Sequence, residues 1–297
     1  MRALPLISVV SFIDPCRSSR HAWETPAPIE RSKCPLQTYF PRVIQTVYLP
    51  IPMSEKPIHL ASDIHLGVVP RETEDAFQGW LEHTGTAASQ LILNGDLFDF
   101  WFEYRSAVPR GHTRVLGALA RLVDAGVPVT LMGGNHDWWG GSFLTGEIGV
   151  TFLRDPVLLD LAGFRTFLAH GDGLGRGDLG YRILSTVLRS QITRWSFRWL
   201  HPDVGAAVAG RVSQTEHLLT GPSETERTRA LVLQEWGRQK LKDELDLDLV
   251  ILGHTHIPTL EEVEPRRYYV NAGDWVHHRS YLVLQEGEPP MLREWQG

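Results

Sequence analysis

The 297-residue sequence has only two cysteines, Cys16 and Cys34. So few thiols exclude a disulfide framework or a thiolate metal site as the organiser of the fold. No apolar run approaches the roughly 18–20 residues that a bilayer-spanning helix needs. The net charge of -6 argues against a protein that coats nucleic acid without sequence preference, because such a protein would be basic overall. Hydrophobic residues make up 42% and charged residues 22%, which excludes wholesale disorder and favours one elaborated globular domain.

Residues 1–52 differ in composition from the rest of the chain. Eight of the 19 prolines and both cysteines lie there, and no stretch keeps a helical or strand period. The apolar run at 3–13 is interrupted by Pro5 and has no small-x-small cleavage site, which argues against an export signal. We therefore expect 1–52 to be a disordered leader, or an over-extended start before Met53. The predicted domain is 53–297, and the expected location is cytoplasmic.

From Met53 onward, segments with strand and helix periodicity alternate. Strands are predicted at 58–62, 90–94, 127–132, 150–153, 157–161, 165–169, 248–252, 267–270 and 280–284. Helices are predicted at 71–83, 113–125, 178–200, 204–219 and 224–245. Strand–helix alternation followed by strand-only segments predicts an α/β sandwich with a mixed sheet.

Polar side chains follow five of the predicted strands at the point where each strand ends. Ligands of open α/β sheets bind beyond the carboxyl ends of the strands, so these side chains should converge on one crevice. A single Asp-x-His is weak evidence, but five such strand ends in order are strong evidence of a site. The five motifs are Asp63-Ile-His65, Gly95-Asp96-Leu-Phe-Asp99, Asn135-His136-Asp137, His170-Gly-Asp172 and His254-Thr-His256.

The donors in these motifs are imidazole, carboxylate and amide groups without sulfur, which suits Mn, Fe or Zn. Their number exceeds the three or four protein ligands of one catalytic metal, so two ions that share a bridging carboxylate fit better. Such a pair lowers the pKa of a bridging water, and it stabilises both the attacking and the leaving oxygen when a phosphoryl group is displaced in line. The pattern therefore predicts hydrolysis of a phosphate ester or anhydride. The seven donors are Asp63, His65, Asp96, Asn135, His170, His254 and His256.

In sequence, these motifs resemble those of the calcineurin-like metallophosphoesterases over nearly all of 58–284. The resemblance implies a four-layer αββα sandwich with a helical cap insertion at about 173–220. It implies that His136 stands beside the scissile group and that Asp137 orients it. Asp99 and Asp172 are expected to fix imidazole tautomers, with loop capping as the alternative. By the same resemblance, one ion is held by Asp63, His65, Asp96 and His256, and the other by Asp96, Asn135, His170 and His254.

Finer features resemble the UDP-2,3-diacylglucosamine pyrophosphatases of lipid A synthesis, namely the runs at 95–103 and 170–181 and the helical insert. This resemblance implies that a hydroxide bridging two divalent ions, Mn²⁺ or alternatively Fe or Zn, cleaves the pyrophosphate of a UDP-linked diacylated glucosamine. The products would be UMP and the acylated sugar 1-phosphate. The best-studied members carry Arg at the positions of His136 and Ile257, and the segment 271–275 also differs from theirs.

The predicted insert is both basic and apolar. Six arginines and three acidic residues between 173 and 220 give it a charge of +3. Such an element could cap acyl chains, hold a pyrophosphate or rest on an anionic inner-membrane surface. The alternative is an ordinary amphipathic element whose aromatics pack into the core. Guanidinium groups match phosphate oxygens and indole rings line apolar grooves, so the predicted substrate contacts are Arg176, Tyr181, Arg182 and Trp138.

Two other functions compete with the lipid-linked substrate. The first is a metallophosphoesterase for soluble phosphodiesters, nucleotides or phosphoproteins, in which the insert only covers the site. The second is an interaction scaffold on the same fold, against which the complete donor set argues, because a scaffold has no need of seven matched donors. A nuclease is disfavoured because no extended basic groove is apparent. We expect no nucleic-acid partner and no obligate protein partner.

Overall fold

A computed structural model describes residues 45–47, 55–177, 179–205, 207, 221 and 223–297. The described strands are β1 (Gln45–Thr46), β2 (Ile58–Ala61), β3 (Gln90–Asn94), β4 (Val129–Met132), β5 (Thr151–Leu153), β6 (Val157–Leu161), β7 (Phe164–Leu168), β8 (Leu249–Leu252), β9 (Thr259–Glu264), β10 (Arg267–Asn271), β11 (Ser280–Leu284) and β12 (Met291–Glu294). The described α-helices are α1 (Arg71–Ala87), α2 (Thr113–Asp124), α3 (Leu179–Leu188), α4 (Gln191–Phe197) and α5 (Glu224–Asp243), and a π-helical turn spans Leu144–Ile148.

The strands form two mixed six-stranded sheets. Sheet I has the order β12-β11-β2-β3-β4-β5, and β2 to β5 run parallel to one another. Sheet II has the order β1-β6-β7-β8-β10-β9, in which β7, β8 and β10 are parallel. The central strands β2, β3 and β8 are buried at every residue, as expected for parallel strands covered on both faces.

Three hydrophobic clusters show how the layers stack. Helices α1 and α2 pack on sheet I through a cluster that contains Trp80 and Leu119. The facing surfaces of the two sheets form a second cluster, which contains Leu60 and Ile251. Helix α5 covers sheet II, with Leu233 fully buried in the third cluster. The layers therefore run helix, sheet, sheet, helix, which confirms the predicted four-layer sandwich.

The structure differs from the predicted elements in three places. The helix predicted over 178–200 is interrupted, because α3 ends at Leu188 and the Ser190 side chain caps α4 by accepting from the Thr193 N–H at 3.1 Å. The edge strands β9 and β12 were not predicted, and they are held by antiparallel pairing to β10 and β11. Most of the helix predicted over 204–219 lies outside the described residues.

The boundary predicted after residue 52 needs a correction. Gln45–Thr46 form a parallel edge strand with β6, so these two residues are part of sheet II rather than of a leader. The segments 1–44 and 48–52 lie outside the described residues. Among the helices that the structure describes, none combines the length and apolar character that crossing a bilayer requires.

His59 on β2 is a buried imidazole whose titration should affect stability. Its side chain lies between Trp80 and His83, and its Nδ1 is 3.0 Å from the Thr84 hydroxyl. Burial, and then the charge of His83, lower the pKa of His59 from 6.5 to about 4. Because the folded pKa lies below the unfolded value, the stabilising contribution is present above pH 6.5 and is lost as the pH falls toward 4.

We therefore expect the free energy of unfolding of the wild type to fall by about 1–2 kcal/mol more than that of His59→Gln between roughly pH 7.5 and pH 5. Urea denaturation of both proteins at the two pH values measures this difference. His201→Gln, a change at an exposed imidazole, should behave as the wild type does. Parallel pH dependences of wild type and His59→Gln would contradict the assignment.

Candidate metal centre

The loops that follow β2, β3, β4, β7 and β8 meet at one edge of the two sheets. Backbone hydrogen bonds connect them, because the Asp63 N–H donates to the Gly95 carbonyl at 3.1 Å and the Gly253 N–H donates to the His170 carbonyl at 2.7 Å. A Cβ on Gly134 would lie 2.1 Å from Asp96 Oδ1. Only glycine therefore allows the loop after β4 to approach this carboxylate so closely.

The structure brings the predicted donors together in two groups. The first contains Asp63, His65 and His256, with His65 Nε2 at 3.3 Å from His256 Nε2. His256 Nε2 also lies 3.5 Å from Asp63 Oδ1. Asp63 and His65 are buried, and His256 is slightly exposed at 12% of its side chain. This group presents imidazole nitrogens and a carboxylate oxygen to one small volume.

The second group contains Asp96, His170 and His254. His170 Nε2 lies 3.1 Å from Asp96 Oδ2 and 3.3 Å from Asn135 Oδ1. Asp96 Oδ2 also lies 4.0 Å from His65 Nε2 in the first group. The Asp96 carboxylate therefore stands between the two groups, where a shared ligand of two ions would have to stand.

The backbone at this site is strained. Eight non-glycine residues among those described have positive φ, and five of them are predicted metal ligands. Each such conformation costs about 1–2 kcal/mol for an L-residue and persists where the surrounding structure imposes it, typically at functional sites. The strain marks this edge as a functional site. The nitrogen and oxygen donors found there suit a pair of divalent cations. The five ligands are Asp63 (54°), His65 (52°), Asp96 (51°), His254 (70°) and His256 (58°).

Two members of the second group, Asp96 and His254, are held in protonation states that suit ligation. Burial alone would raise the pKa of Asp96, but the charges of His170 and His136 hold that pKa well below its usual value. Burial, and then the charge of His170, lower the pKa of His254 to about 3. Asp96 is therefore an anion and His254 a neutral imidazole near neutral pH, which are the forms that bind metal.

The imidazole of His136 is held by the backbone carbonyl of Asp99. Its Nδ1 lies 2.8 Å from the Asp99 backbone carbonyl, which can only accept, so Nδ1 carries the proton. The backbone N–H of His136 donates to Asp96 Oδ1 at 2.9 Å. His136 Nε2 lies 4.0 Å from Asp96 Oδ2 and faces the donor groups. Among the described residues, Asp137 makes its hydrogen bonds to backbone N–H groups, and the orienting role at His136 stays a prediction.

Asp137 is a fully buried acceptor of backbone hydrogen bonds. Its Oδ2 accepts from the Leu97 N–H at 2.7 Å, and its Oδ1 accepts from the Gly134 N–H at 2.7 Å. The N–H groups of Phe98 and Asp96 also donate to this carboxylate, at 3.4 and 3.3 Å. Burial and then the charge of Asp96 raise the pKa of Asp137 to about 6. Asp137 thus joins the loop after β3 to the loop after β4.

The two carboxylates predicted to fix imidazole tautomers differ in their surroundings. Asp99 Oδ1 lies 3.7 Å from both His65 Nδ1 and His136 Nδ1, so it does stand beside imidazoles. Asp172 instead accepts from the Tyr181 hydroxyl at 2.9 Å and from Arg189 at 2.7 Å. The hydrogen bonds of Asp172 are thus to these two side chains, and its predicted role at an imidazole stays a prediction.

The predicted substrate contacts mostly use their polar atoms within the protein. The Tyr181 hydroxyl is bound to Asp172, and Arg182 donates to the carbonyls of Gly173 and Gly175. The Trp138 indole N–H donates to the Arg154 carbonyl at 3.0 Å. The side chain of Arg176 is exposed to solvent.

One residue beside the donor groups was not predicted from the sequence. Asp274 Oδ2 lies 3.3 Å from His256 Nδ1, and Asp274 Oδ1 accepts from the N–H groups of His277 and His278. Burial would raise the pKa of Asp274, but hydrogen bonds from His256 and His278 hold it below its usual value. Asp274 follows β10 at the same edge of the sheets, so the strand-end rule could have found it. Such a carboxylate fixes which nitrogen of His256 faces a metal.

Removing this charge should weaken metal binding. We expect Asp274→Asn to bind Mn²⁺ about 10–100-fold more weakly than the wild type, as is typical when an outer partner of a ligand is lost. Calorimetric titration of the metal-free protein measures the change. Asp160→Asn, at an exposed position on β6, serves as the control. Equal affinities of Asp274→Asn and wild type would contradict the role.

Known proteins are similar to this chain at the level of sequence and of structure. A family model described as calcineurin-like phosphoesterase matches residues 56–258. A UDP-2,3-diacylglucosamine hydrolase from Porphyromonas gingivalis is 31% identical over 243 residues, which are 76% of this chain and 93% of that protein. One of the same name from Aeromonas salmonicida is 33% identical over 237 residues, 76% of this chain and 89% of that protein. Among solved structures, a dimetal phosphatase from Danio rerio covers 82% of this chain and 99% of its own, with 11% identity and a TM-score of 0.37.

Proposed function

The chain belongs to the calcineurin-like phosphoesterase family, and from the names of its relatives we propose that it hydrolyses the pyrophosphate bond of UDP-2,3-diacylglucosamine. The products would be UMP and 2,3-diacylglucosamine 1-phosphate. The general class is that of a metal-dependent hydrolase of phosphate esters or anhydrides. The observation that carries the proposal is the pair of donor groups on either side of Asp96, in a chain whose relatives bear the name of this hydrolase.

We propose that the two divalent ions are Mn²⁺. When bound, they would lower the pKa of a water molecule and place positive charge against the phosphate oxygens. Asp96 would be shared between them. The side chain of His136 would act beside the scissile bond. The Asp99 carbonyl holds the proton on its Nδ1, and a second proton on Nε2 would give the imidazolium form, which can stabilise charge or donate that proton. One ion would be held by Asp63, His65 and His256 and the other by Asn135, His170 and His254.

Helices α3 and α4, together with the residues just after α4, carry features that suit a lipid-linked substrate. Ile192, Trp195 and Trp199 are exposed at 78%, 63% and 77%, although large apolar side chains are usually buried. Phe197 behaves differently, because its ring packs 4.7 Å from that of Phe102. An exposed apolar surface on a basic element suits contact with acyl chains or an anionic inner-membrane surface. Arg176 and Trp138 remain our proposed contacts to the polar part of the substrate.

The test is a product assay. The purified protein is incubated with UDP-2,3-diacylglucosamine and Mn²⁺, and the products are identified by mass spectrometry. Release of UMP together with the acylated sugar 1-phosphate supports the proposal. If the lipid substrate stays intact while a chromogenic phosphodiester is hydrolysed, the lipid assignment is rejected in favour of a phosphoesterase for soluble substrates.

A further inference from the structure

The pair of helices α3 and α4, which we call the α3–α4 segment (179–197), contributes little to the core. Helix α4 has no buried residue, and Ile183 and Val187 on α3 are exposed at 61% and 55%. Apart from the ring of Phe197, which packs against Phe102 and Trp139, hydrophobic burial does little to fix this segment against the rest of the chain. Its position must depend on a small number of specific side-chain contacts.

One of these contacts is the largely buried ion pair between Asp172 and Arg189. Asp172 lies two residues after His170, and its Oδ2 accepts from Arg189 Nη2 at 2.7 Å and from the Tyr181 hydroxyl at 2.9 Å. The side chains of Asp172 and Arg189 are exposed at only 8% and 13%. A hydrogen-bonded ion pair this short and this buried is stronger than an exposed one.

Arg189 also contacts a second loop of the metal centre. Its guanidinium carbon lies 5.2 Å from the centre of the Trp138 ring, within the range of a cation–π interaction. The neighbouring Trp139 indole donates to the Leu188 carbonyl at 3.3 Å. Trp138 follows His136 by two residues, so Arg189 connects the end of α3 to the loops that carry His170 and His136.

We propose that Arg189 and Asp172 are positioning residues that hold the α3–α4 segment beside the metal centre and thereby determine selectivity for a large lipid-linked substrate over a small diester. The selectivity part rests on the proposed function. A small diester needs only the metal centre, whereas a substrate with acyl chains also needs the segment in place. Both hydrogen-bond donors to Asp172, Tyr181 and Arg189, come from the α3–α4 segment. The hydrogen bonds of this carboxylate therefore hold the segment in position.

The principal test compares two substrates in Arg189→Gln. We expect kcat/KM for UDP-2,3-diacylglucosamine to fall by about tenfold or more, because small displacements of positioning groups have effects of this size. The kcat/KM for bis(p-nitrophenyl) phosphate should stay within about twofold of the wild type, since the donor groups are unchanged. Arg121→Gln, at an exposed position on α2, should leave both values unchanged. An equal loss on both substrates, or no loss on either, overturns the proposal.

A second readout follows the segment without any substrate. Limited trypsin digestion of the Mn²⁺-loaded protein should cleave the segment, at Arg182 or Arg194, faster in Arg189→Gln than in the wild type or Arg121→Gln. In a double-mutant cycle on digestion rates, Asp172→Asn with Arg189→Gln should be no faster than the faster single variant. An unchanged digestion rate, or additive effects in the double variant, overturns the positioning role.

The two readouts separate this inference from the proposed function. If the wild type leaves UDP-2,3-diacylglucosamine intact, the proposed function and the selectivity fail together. Faster digestion of Arg189→Gln in that case still supports the positioning role. If instead the wild type cleaves the lipid substrate and Arg189→Gln cleaves it equally well, the proposed function stands and the inference fails.

Discussion

Asp96→Ala should reduce hydrolysis of any phosphate substrate by about 10³-fold or more, because loss of an outer partner of a metal ligand already costs 10–100-fold. The carboxylate of Asp96 is 1% exposed and lies 3.1 Å from His170 Nε2 in one donor group and 4.0 Å from His65 Nε2 in the other. Its removal would deprive both groups of an anionic ligand at once. Initial rates with bis(p-nitrophenyl) phosphate and saturating Mn²⁺ measure the effect.

Metal analysis gives a second measurement on the same variant. Asp96→Ala should retain fewer Mn²⁺ ions per chain after gel filtration than the wild type, with an unchanged circular dichroism spectrum. Asp246→Ala is the matched control, because Asp246 is exposed and precedes β8, at the opposite end from His254. If Asp96→Ala kept wild-type turnover and wild-type metal content, the shared-ligand assignment would be wrong.

Asp137→Ala should lower the free energy of unfolding of the metal-free protein by about 3–5 kcal/mol. Each buried backbone N–H that loses its acceptor costs about 1–3 kcal/mol, and the N–H groups of Gly134 and Leu97 lose close acceptors at 2.7 Å. The variant also leaves a cavity at a position that is fully buried. Urea denaturation in the presence of a chelator measures the loss without the contribution of bound metal.

The control for this measurement is Asp124→Ala, because Asp124 is exposed at the end of α2. Its free energy of unfolding should stay within about 0.5 kcal/mol of the wild type. If Asp137→Ala unfolds at the same urea concentration as Asp124→Ala but loses catalytic activity, then Asp137 acts on the chemistry. That outcome would favour the role at His136 that the resemblance implies over the structural role seen here.

The donors of the metal centre could be predicted because each follows a strand. Parallel strands of a sheet end at a common edge, so His170 after β7 and His254 after β8 had to be neighbours. The same rule extends to Asp274, which follows β10 and precedes His277 and His278. Strand-end motifs thus predict which residues approach the site.

The partners of individual side chains could not be predicted in this way. Asp137, beside His136 in sequence, points its carboxylate at the backbone of another loop. Asp172, two residues after His170, points to Arg189 rather than to an imidazole. In both cases the direction of the side chain depends on the backbone conformation of a tight loop, which sequence spacing does not specify.

The four-layer arrangement was implied by the family resemblance of the motifs. By itself, the sequence determined the order of most strands and helices, an α/β sandwich class of fold and the set of nitrogen and oxygen donors at the strand ends. These follow from periodicity and from local chemistry, which depend on residues close together in the chain. Only the tertiary structure decided that Asp96 stands between two donor groups, that Asp274 supports His256 and that Arg189 is bound to Asp172. Those pairings join residues far apart in sequence, so they arise only when both sheets and their loops are packed together.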